Sequence, residues 1–394
     1  MAGEFRLLQG PVFAMVSEST RADCVNRDYP ANARVDILMS RFWSSLVHTL
    51  TPYVAGEQPA LRDLVKLNTN ENPYGPSPRA LAAIAAETTE VLRLYPDPAV
   101  RSLREAIAKS HGLDANNVFV GNGSDEVLAH VFQALLKHDK PLLFPDITYS
   151  FFPTFCRLYG IDFREIPLDD VMAIRISDYR QECGAIILPN PNAPTGTALP
   201  LSEIEKLIAD HPDQVVVIDE AYVDFGAQSA IPLVAHYPNL LVTQTFSKSR
   251  GLAGLRVGFA VGQPQLIEAL NRVKDSFNSY PLDRLAIAGA VAAWEDKEWF
   301  EDKRDRVIAT RERLSLALRD LQFQVVPSSA NFLFARHATL VGAEIAGELR
   351  SRAILIRHFP KPRIHDYLRI SIGTDEECEK LLSGLADVIT SLKR

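Results

Sequence analysis

Lys248 lies in Thr245-Phe246-Ser247-Lys248-Ser249-Arg250-Gly251-Leu252-Ala253-Gly254-Leu255-Arg256, shortly after the apolar run Leu240-Leu241-Val242. A lysine at a strand end, among small residues, can hold a carbonyl compound as a Schiff base, whereas an isolated lysine is ordinarily a solvated surface group. Three companions favour the chemical reading. Asp219 closes the run Val215-Val216-Val217-Ile218 and is followed by Glu220-Ala221-Tyr222. Arg256 stands eight residues beyond Lys248, and far upstream the turn Gly121-Asn122-Gly123-Ser124 precedes an amphipathic segment.

This set matches what pyridoxal phosphate asks of a protein. It needs a lysine that binds its carbonyl and later moves a proton, and an acid at the pyridine nitrogen that keeps the ring an electron sink. It also needs a donor at the ring hydroxyl and an anion site for the phosphate. Asp219 suits the pyridine nitrogen, because a carboxylate at a buried strand end is costly unless paired. Standing alone it would read as a helix cap or salt-bridge partner, and Tyr222 as a half-buried core aromatic. The turn at Gly121 offers free N–H groups and a helix dipole to an anion, although Ser124-Asp125-Glu126 is also an ordinary capping arrangement. It fails as a dinucleotide fingerprint, since Glu126 stands where a third glycine belongs. Ser247 and Arg256 can complete the phosphate cradle, the latter through a charge-assisted contact.

The elements that must position these residues follow from periodicity. Val118-Phe119-Val120, Leu142-Leu143-Phe144, Asp162 to Ile166, Ala185-Ile186-Ile187-Leu188, Val215 to Ile218, Leu240 to Thr243 and Val257-Gly258-Phe259-Ala260 are too short for helices and are punctuated by Gly, Pro or Asn. Helical segments such as Ser124–Leu136 and Leu201–Asp210 fall between them. The alternation predicts an α/β fold with a mainly parallel sheet covered by helices on both faces. Beyond Pro281 the pattern changes. A helical stretch from Ala286 to Leu321, broken near Asp296, leads to the strands Phe323–Val326 and Phe332–Phe334. A helix at Leu340–Arg350 and the runs Ile354–Ile356 and Leu368–Ile372 complete a smaller C-terminal α+β unit. The expected division is an extension at 1–38, an arm at 39–80 serving the small domain and a dimer, a large domain at 81–284 and a small one at 285–394.

Composition narrows the class. The chain has 394 residues, 47% hydrophobic and 23% charged, with 42 basic and 49 acidic side chains for a net charge of −7. That balance describes a soluble globular protein and argues against nucleic acid or an anionic membrane as the main partner. Cys24, Cys156, Cys183 and Cys378 are scattered with no metal-ligand spacing, so reduced thiols in a cytoplasmic protein are expected, with no metal site. No apolar stretch reaches membrane-spanning length, and residues 1–38 carry no signal-peptide pattern. Met39 offers a native start, with a loosely ordered extension before it.

A family resemblance emerges from the motifs in register. Asn68-Thr69-Asn70-Glu71-Asn72-Pro73-Tyr74-Gly75-Pro76, Arg93-Leu94-Tyr95-Pro96, Gly121 to Glu126, Pro191-Asn192-Ala193-Pro194-Thr195-Gly196, Asp219 to Tyr222, Ser247 to Arg256 and Tyr367-Leu368-Arg369-Ile370-Ser371-Ile372-Gly373 occur in this order. The series, from about Phe42 to the C-terminus, resembles fold-type I pyridoxal phosphate aminotransferases, and most closely the histidinol-phosphate aminotransferases. The resemblance implies an aspartate-aminotransferase-like fold with a seven-stranded large-domain sheet. It implies Lys248 as the cofactor-binding lysine, Asp219 on the pyridine nitrogen, Tyr222 on the ring hydroxyl and Tyr149 stacked on the ring. Ser124, Asp125, Ser247 and Arg256 would hold the phosphate. Tyr95 would reach the phosphate of a neighbouring subunit, making a homodimer with a composite site. Arg369 would clamp the substrate anion, with Arg357 and Tyr74 near the phosphate of histidinol phosphate. One departure stands out: relatives place an asparagine for the ring hydroxyl where this chain has Ala193, leaving Asn192 as the substitute candidate.

The reaction implied is ping-pong transamination between L-histidinol phosphate and 2-oxoglutarate, giving imidazole-acetol phosphate and L-glutamate. Aromatic amino acids fit a similar anion clamp, and a threonine-phosphate decarboxylase shares the pattern, so both remain open. A phosphate-binding protein without catalysis explains the turn at Gly121 and Arg256 but leaves Lys248 and Asp219 together unexplained.

Overall fold

The alternating runs between residues 118 and 262 form one seven-stranded sheet in the computed structural model, which describes residues 41–53, 56–59 and 63–393. The expectations for residues 1–38, Met39 and Cys24 lie outside the described residues. Residues 41–49, with the short helix α1 (Ser45–Thr49), belong to a first unit. All that follows concerns the second, from Leu50 onward.

The strands of the larger sheet are β2 (Val118–Asn122), β3 (Leu142–Pro145), β4 (Phe163–Ile166), β5 (Ala185–Pro189), β6 (Val215–Asp219), β7 (Leu240–Thr245) and β8 (Val257–Gly262). Their order is β2-β8-β7-β6-β5-β3-β4. β8 alone runs antiparallel to its neighbours β2 and β7. Both faces are covered, and successive residues divide between them. Ile186, Leu188, Val216 and Ile218 point into one core, where Leu103 and Ile107 of α3 (Arg101–Ser110) and Ile204 and Leu207 of α6 (Leu201–Asp210) meet them. Ala185, Ile187, Val217 and Leu241 point into the other. There α4 (Gly123–Leu135), α5 (Phe151–Tyr159) and α7 (Pro264–Asp275) bring Val131, Phe152 and Ile267. This is the period of two expected of a strand, applied to a sheet whose central strands are covered on both faces.

The predicted break near Asp296 is present: α8 (Arg284–Glu295) ends and α9 (Lys297–Asp320) begins on either side of it. The two helices serve different cores. Ala286, Ala290 and Ala293 of α8 pack on the larger sheet beside Ala80 of α2 (Pro78–Glu87). Val307, Leu314 and Leu318 of α9 pack on the smaller one. That second sheet has the order β1-β11-β12-β10-β9. It is built from β9 (Phe323–Val326), β10 (Phe332–His337), β11 (Ile354–His358) and β12 (Tyr367–Ser371), roofed by α10 (Gly342–Ser351) and α11 (Asp375–Leu392). Its edge strand β1 (Val65–Leu67) comes from the N-terminal arm and pairs parallel with β11. Thr374 and Glu377 form a reciprocal capping box at the start of α11.

Candidate active site

Topology gathers the chemistry at one edge. β6 ends in Asp219, β7 leads into Ser247 and Lys248, and β2 ends in the turn that opens α4. These are carboxyl ends of parallel strands, where open α/β sheets bind ligands. Because β8 runs the other way, its beginning reaches this edge, and Arg256 is delivered beside the neighbouring β2 end. A cavity of about 300 Å³ opens there. Of the residues singled out in the sequence, Ser124, Asp125, Tyr149, Asp219, Tyr222, Ser247, Lys248, Arg256, Arg357 and Arg369 line it.

One end of the cavity is built for an anion. Asn122 is the N-cap residue of α4 but makes no side-chain cap, its own N–H being taken by the Glu126 carboxylate. Ser124 therefore sits inside the first turn rather than capping it. With Asp125 it faces the cavity where helix N–H groups have no acceptor of their own. Gly123 has φ +78°, and a Cβ there would lie 2.9 Å from Arg256 Cζ. Arg256 itself has φ +53°, a left-handed conformation that costs on the order of 1–3 kcal/mol and collects at functional sites. Its Nη2 donates to Asp125 Oδ2 at 3.2 Å, while the Tyr149 hydroxyl donates to Oδ1 at 2.8 Å. At the neighbouring end of β7, the Thr245 hydroxyl donates to Ser247 Oγ at 3.0 Å.

Gly258 makes the close approach of β8 to this turn possible, a role the sequence did not reveal. A Cβ at that position would stand 2.6 Å from the Gly123 carbonyl carbon and overlap the Ser124 nitrogen. Gly258→Ala is expected to cost about 1–3 kcal/mol by pushing the first turn of α4 off the strand. Urea melts would register that loss, and cofactor retention on dialysis would fall with it.

The middle of the cavity carries the acid and the base. Asp219 is 5% exposed, and burial pushes its carboxyl up to about 6, against the opposing hydrogen bonds from Thr243 and the Ala221 N–H. Thr243 Oγ1 donates to it at 3.1 Å. Lys248 Nζ is only lightly held, donating to the Thr69 carbonyl at 3.3 Å and lying 5.7 Å from the Tyr222 ring centroid. Tyr222 accepts a hydrogen bond from Asn70 Nδ2 at 3.0 Å, so its own proton is free to point elsewhere. Asn70 is a hub whose role the sequence did not signal. It is 1% exposed, with φ +55°, a conformation asparagine tolerates better than most residues. Its N–H donates to Ser371 Oγ, its Oδ1 accepts from the same hydroxyl, and its carbonyl accepts from Asn331 Nδ2. The arm is thereby fastened to β12 and to Tyr222 at once.

The far end is cationic. Arg357 and Arg369 stand directly opposite each other on β11 and β12. Like charges so placed repel unless an anion lies between them. Arg369 Nη2 donates to the Asn68 carbonyl at 2.9 Å, but its Nε is shielded from solvent with no partner. Desolvation lowers the pKa of this guanidinium, with Arg357 adding to the effect.

Three expected site residues fall outside the cavity. Asn192 is fully buried, and its amide is consumed internally: Nδ2 donates to the Ile147 carbonyl and to Thr195 Oγ1, while Oδ1 accepts from Thr148. Its amide is turned away from the cavity that holds Lys248 and Asp219. Ala193 lines the cavity in its place. Tyr74 packs against the smaller core, 5.3 Å from the Lys303 ammonium. Tyr95 is 79% exposed and stacks on Tyr280 with centroids 4.7 Å apart.

Comparison with known proteins agrees with this geometry. The family model described as aminotransferase class I and II matches residues 62–385. The chain is 65% identical over 355 residues to a histidinol-phosphate aminotransferase of Aromatoleum aromaticum, covering 89% of this chain and 100% of that one. It is also 65% identical over 351 residues to histidinol-phosphate aminotransferase 1 of Bradyrhizobium diazoefficiens, with the same coverages. Among solved structures, histidinol-phosphate aminotransferase from Sinorhizobium meliloti in complex with pyridoxal 5′-phosphate is similar. Its TM-score is 0.80 at 25% identity, covering 90% of this chain and 99% of that one. The chain belongs to the class I and II aminotransferase family.

Proposed function

We propose that the chain catalyses the reversible, pyridoxal phosphate-dependent transfer of an amino group between L-histidinol phosphate and 2-oxoglutarate, giving imidazole-acetol phosphate and L-glutamate in histidine biosynthesis. The observation that carries this reading is the paired guanidinium end of the cavity, Arg357 opposite Arg369 with an unpartnered Nε, facing the same space as Lys248 and Asp219. The 65% identical relatives named for this activity support the choice of substrate.

The residues present fit the cofactor. Asp219, a buried carboxyl with a raised pKa, would be relieved by a cationic ring N–H. The N-terminus of α4 with Ser124 and Asp125, together with Ser247 and Arg256, would hold the phosphate. The free proton of Tyr222 would serve the ring oxygen, and Tyr149 would flank the ring. When bound, the cofactor supplies an electron sink for the bond broken at the substrate Cα. Lys248, tethered by one long hydrogen bond, can swing its amine to take the Cα proton and return it. Arg369 orients the substrate through its anion, the α-carboxylate of glutamate or the phosphate of histidinol phosphate. Tyr149, Phe151, Phe359 and Ile364 wall the cavity against water.

The same reading makes the working unit a cytoplasmic homodimer. Tyr95 and Phe277, 79% and 78% exposed, lie with Leu92, Leu94 and Tyr280 among the exposed large apolar side chains. Such surface is ordinarily covered by a partner, and Tyr95 is the residue that would enter the neighbouring site.

Steady-state turnover with 2-oxoglutarate tests the substrate. The value of kcat/KM for L-histidinol phosphate is expected to exceed that for L-phenylalanine, and the reverse order would make the chain an aromatic aminotransferase. Arg369→Gln is expected to lower kcat/KM for histidinol phosphate and glutamate by about 10²- to 10³-fold, the cost of removing one member of a desolvated charge pair. The absorbance of the bound cofactor should stay unchanged.

A further inference from the structure

One cation at the cavity has no role in the reaction as described. Lys361 lines it from the loop joining β11 to β12, alongside Phe359 and Ile364. The cavity's carboxylates are engaged elsewhere, Asp125 by Tyr149 and Arg256 and Asp219 by Thr243. Among the described residues no salt bridge to Lys361 is found. Lys361 is exposed, but the backbone that carries it is tied down. Two residues on, Arg363 reaches the far wall: Nη1 pairs with the Asp146 carboxylate and Nη2 donates to the Leu168 carbonyl at 2.9 Å. Asp146 Oδ1 in turn accepts the N–H groups of Ile147 at 2.8 Å and Leu168 at 2.9 Å. Ile147 begins the run Ile147 to Phe151, which also lines the cavity. Within the loop, the Lys361 N–H donates to the Phe359 carbonyl and the Ile364 N–H to the Lys361 carbonyl. One ion pair therefore joins the two walls and sets the bend that carries Lys361.

The cofactor phosphate does not need this lysine, because its donors cluster at the strand edge around Ser124, Ser247 and Arg256. Lys361 shares its stretch of chain with Arg357, which lies on the strand just before it. Both proposed substrates bring two negative charges, glutamate as two carboxylates and histidinol phosphate as a phosphate dianion. Arg369 is placed for the first of them. Resting on the reaction proposed above, we propose that Lys361 is a specificity-determining residue that pairs with the second negative charge of the substrate, and that Arg363 is the positioning residue that holds it over the cavity.

The test uses cofactor-loaded protein and two inhibitors, glutarate with two carboxylates and 3-phenylpropionate with one, each titrated while the visible band of the bound cofactor is followed. Lys361→Gln is expected to weaken glutarate about fivefold, the upper range for a partly solvated ion pair, and to leave 3-phenylpropionate within about twofold. Lys361→Arg should restore glutarate, and Arg363→Gln should reproduce the selective loss. Equal weakening of both inhibitors, or of neither, overturns the proposal for Lys361. Normal glutarate binding by Arg363→Gln overturns the positioning role. Failure of the wild-type protein to turn over histidinol phosphate would refute the proposed reaction instead, and the glutarate comparison would still be readable.

Discussion

Lys248→Ala is expected to reduce transamination by at least about 10⁴-fold, the upper range for a positioned acid–base group, while leaving the protein folded. The structural cost is small because Nζ makes one 3.3 Å hydrogen bond, to the Thr69 carbonyl, and otherwise only lies over the Tyr222 ring. The backbone around it is fixed independently. Asn72 Nδ2 donates to the carbonyls of Lys248 and Ser249, and Ser249 Oγ donates to Asp224. Function, by contrast, depends on this amine, because the other lysine at the cavity, Lys361, enters from the loop after β11 and is assigned to the substrate's second charge. Arg256 and Arg369 also line the cavity, but a guanidinium does not give up its proton near neutral pH. Two measurements check this. Circular dichroism and urea melts should match wild type, and the visible absorbance of lysine-linked cofactor should vanish. A variant that keeps more than about a hundredth of the wild-type rate would remove Lys248 from the proton transfer.

Asp219→Asn is expected to trade activity for stability, and the two effects have opposite signs. Activity should fall by about 10²- to 10³-fold, the scale seen when one preorganised electrostatic group is deleted. Cofactor-free stability should rise. Folding moves the Asp219 pKa from 3.8 to about 6, so the folded state holds this proton more tightly than the unfolded chain does. Below about pH 4 the carboxyl is protonated in both states and the asparagine gains nothing. As pH rises through 6 the wild-type protein must carry a buried carboxylate, at a cost of up to about 3 kcal/mol. The stability advantage of Asp219→Asn in the cofactor-free protein should therefore open between about pH 4 and 6 and stay level above. Pyridoxal phosphate should cancel it by pairing the wild-type carboxylate. Urea melts at pH 4, 5, 6 and 7, with and without cofactor, read both effects. A variant less stable than wild type at every pH would mean that Asp219 is structural.

Much of this site was legible because the chemistry sits where local pattern is strongest. Lys248 and Asp219 each follow an apolar run that could only be a buried strand, and parallel strands deliver their carboxyl ends to one edge. Arg256 was legible by motif, but its delivery beside Gly123 depends on β8 alone running backwards, which no local pattern encodes. Asn70 and Gly258 were harder for the same reason. The Asn70 hydrogen bonds go to Ser371, 301 residues away, and Gly258 is required by a backbone it meets only after β2 and β8 pair. Asn192 hydrogen-bonds to its neighbours Ile147, Thr148 and Thr195 rather than lining the cavity, a placement set by packing rather than residue type. Lys361 carried no signal at all. A lysine between two prolines reads as solvated loop until Arg363 is seen crossing to Asp146.

The central claim is that one site holds the amino group between two half-reactions, and a single turnover tests it directly. Cofactor-loaded protein would be mixed with one equivalent of L-histidinol phosphate and no keto acid, and the quenched mixture assayed. Formation of about one imidazole-acetol phosphate per site, with no free ammonia or carbon dioxide, followed by L-glutamate when 2-oxoglutarate is added, is the predicted result. No keto product until 2-oxoglutarate is present, or release of carbon dioxide from threonine phosphate in a parallel trial, would contradict it.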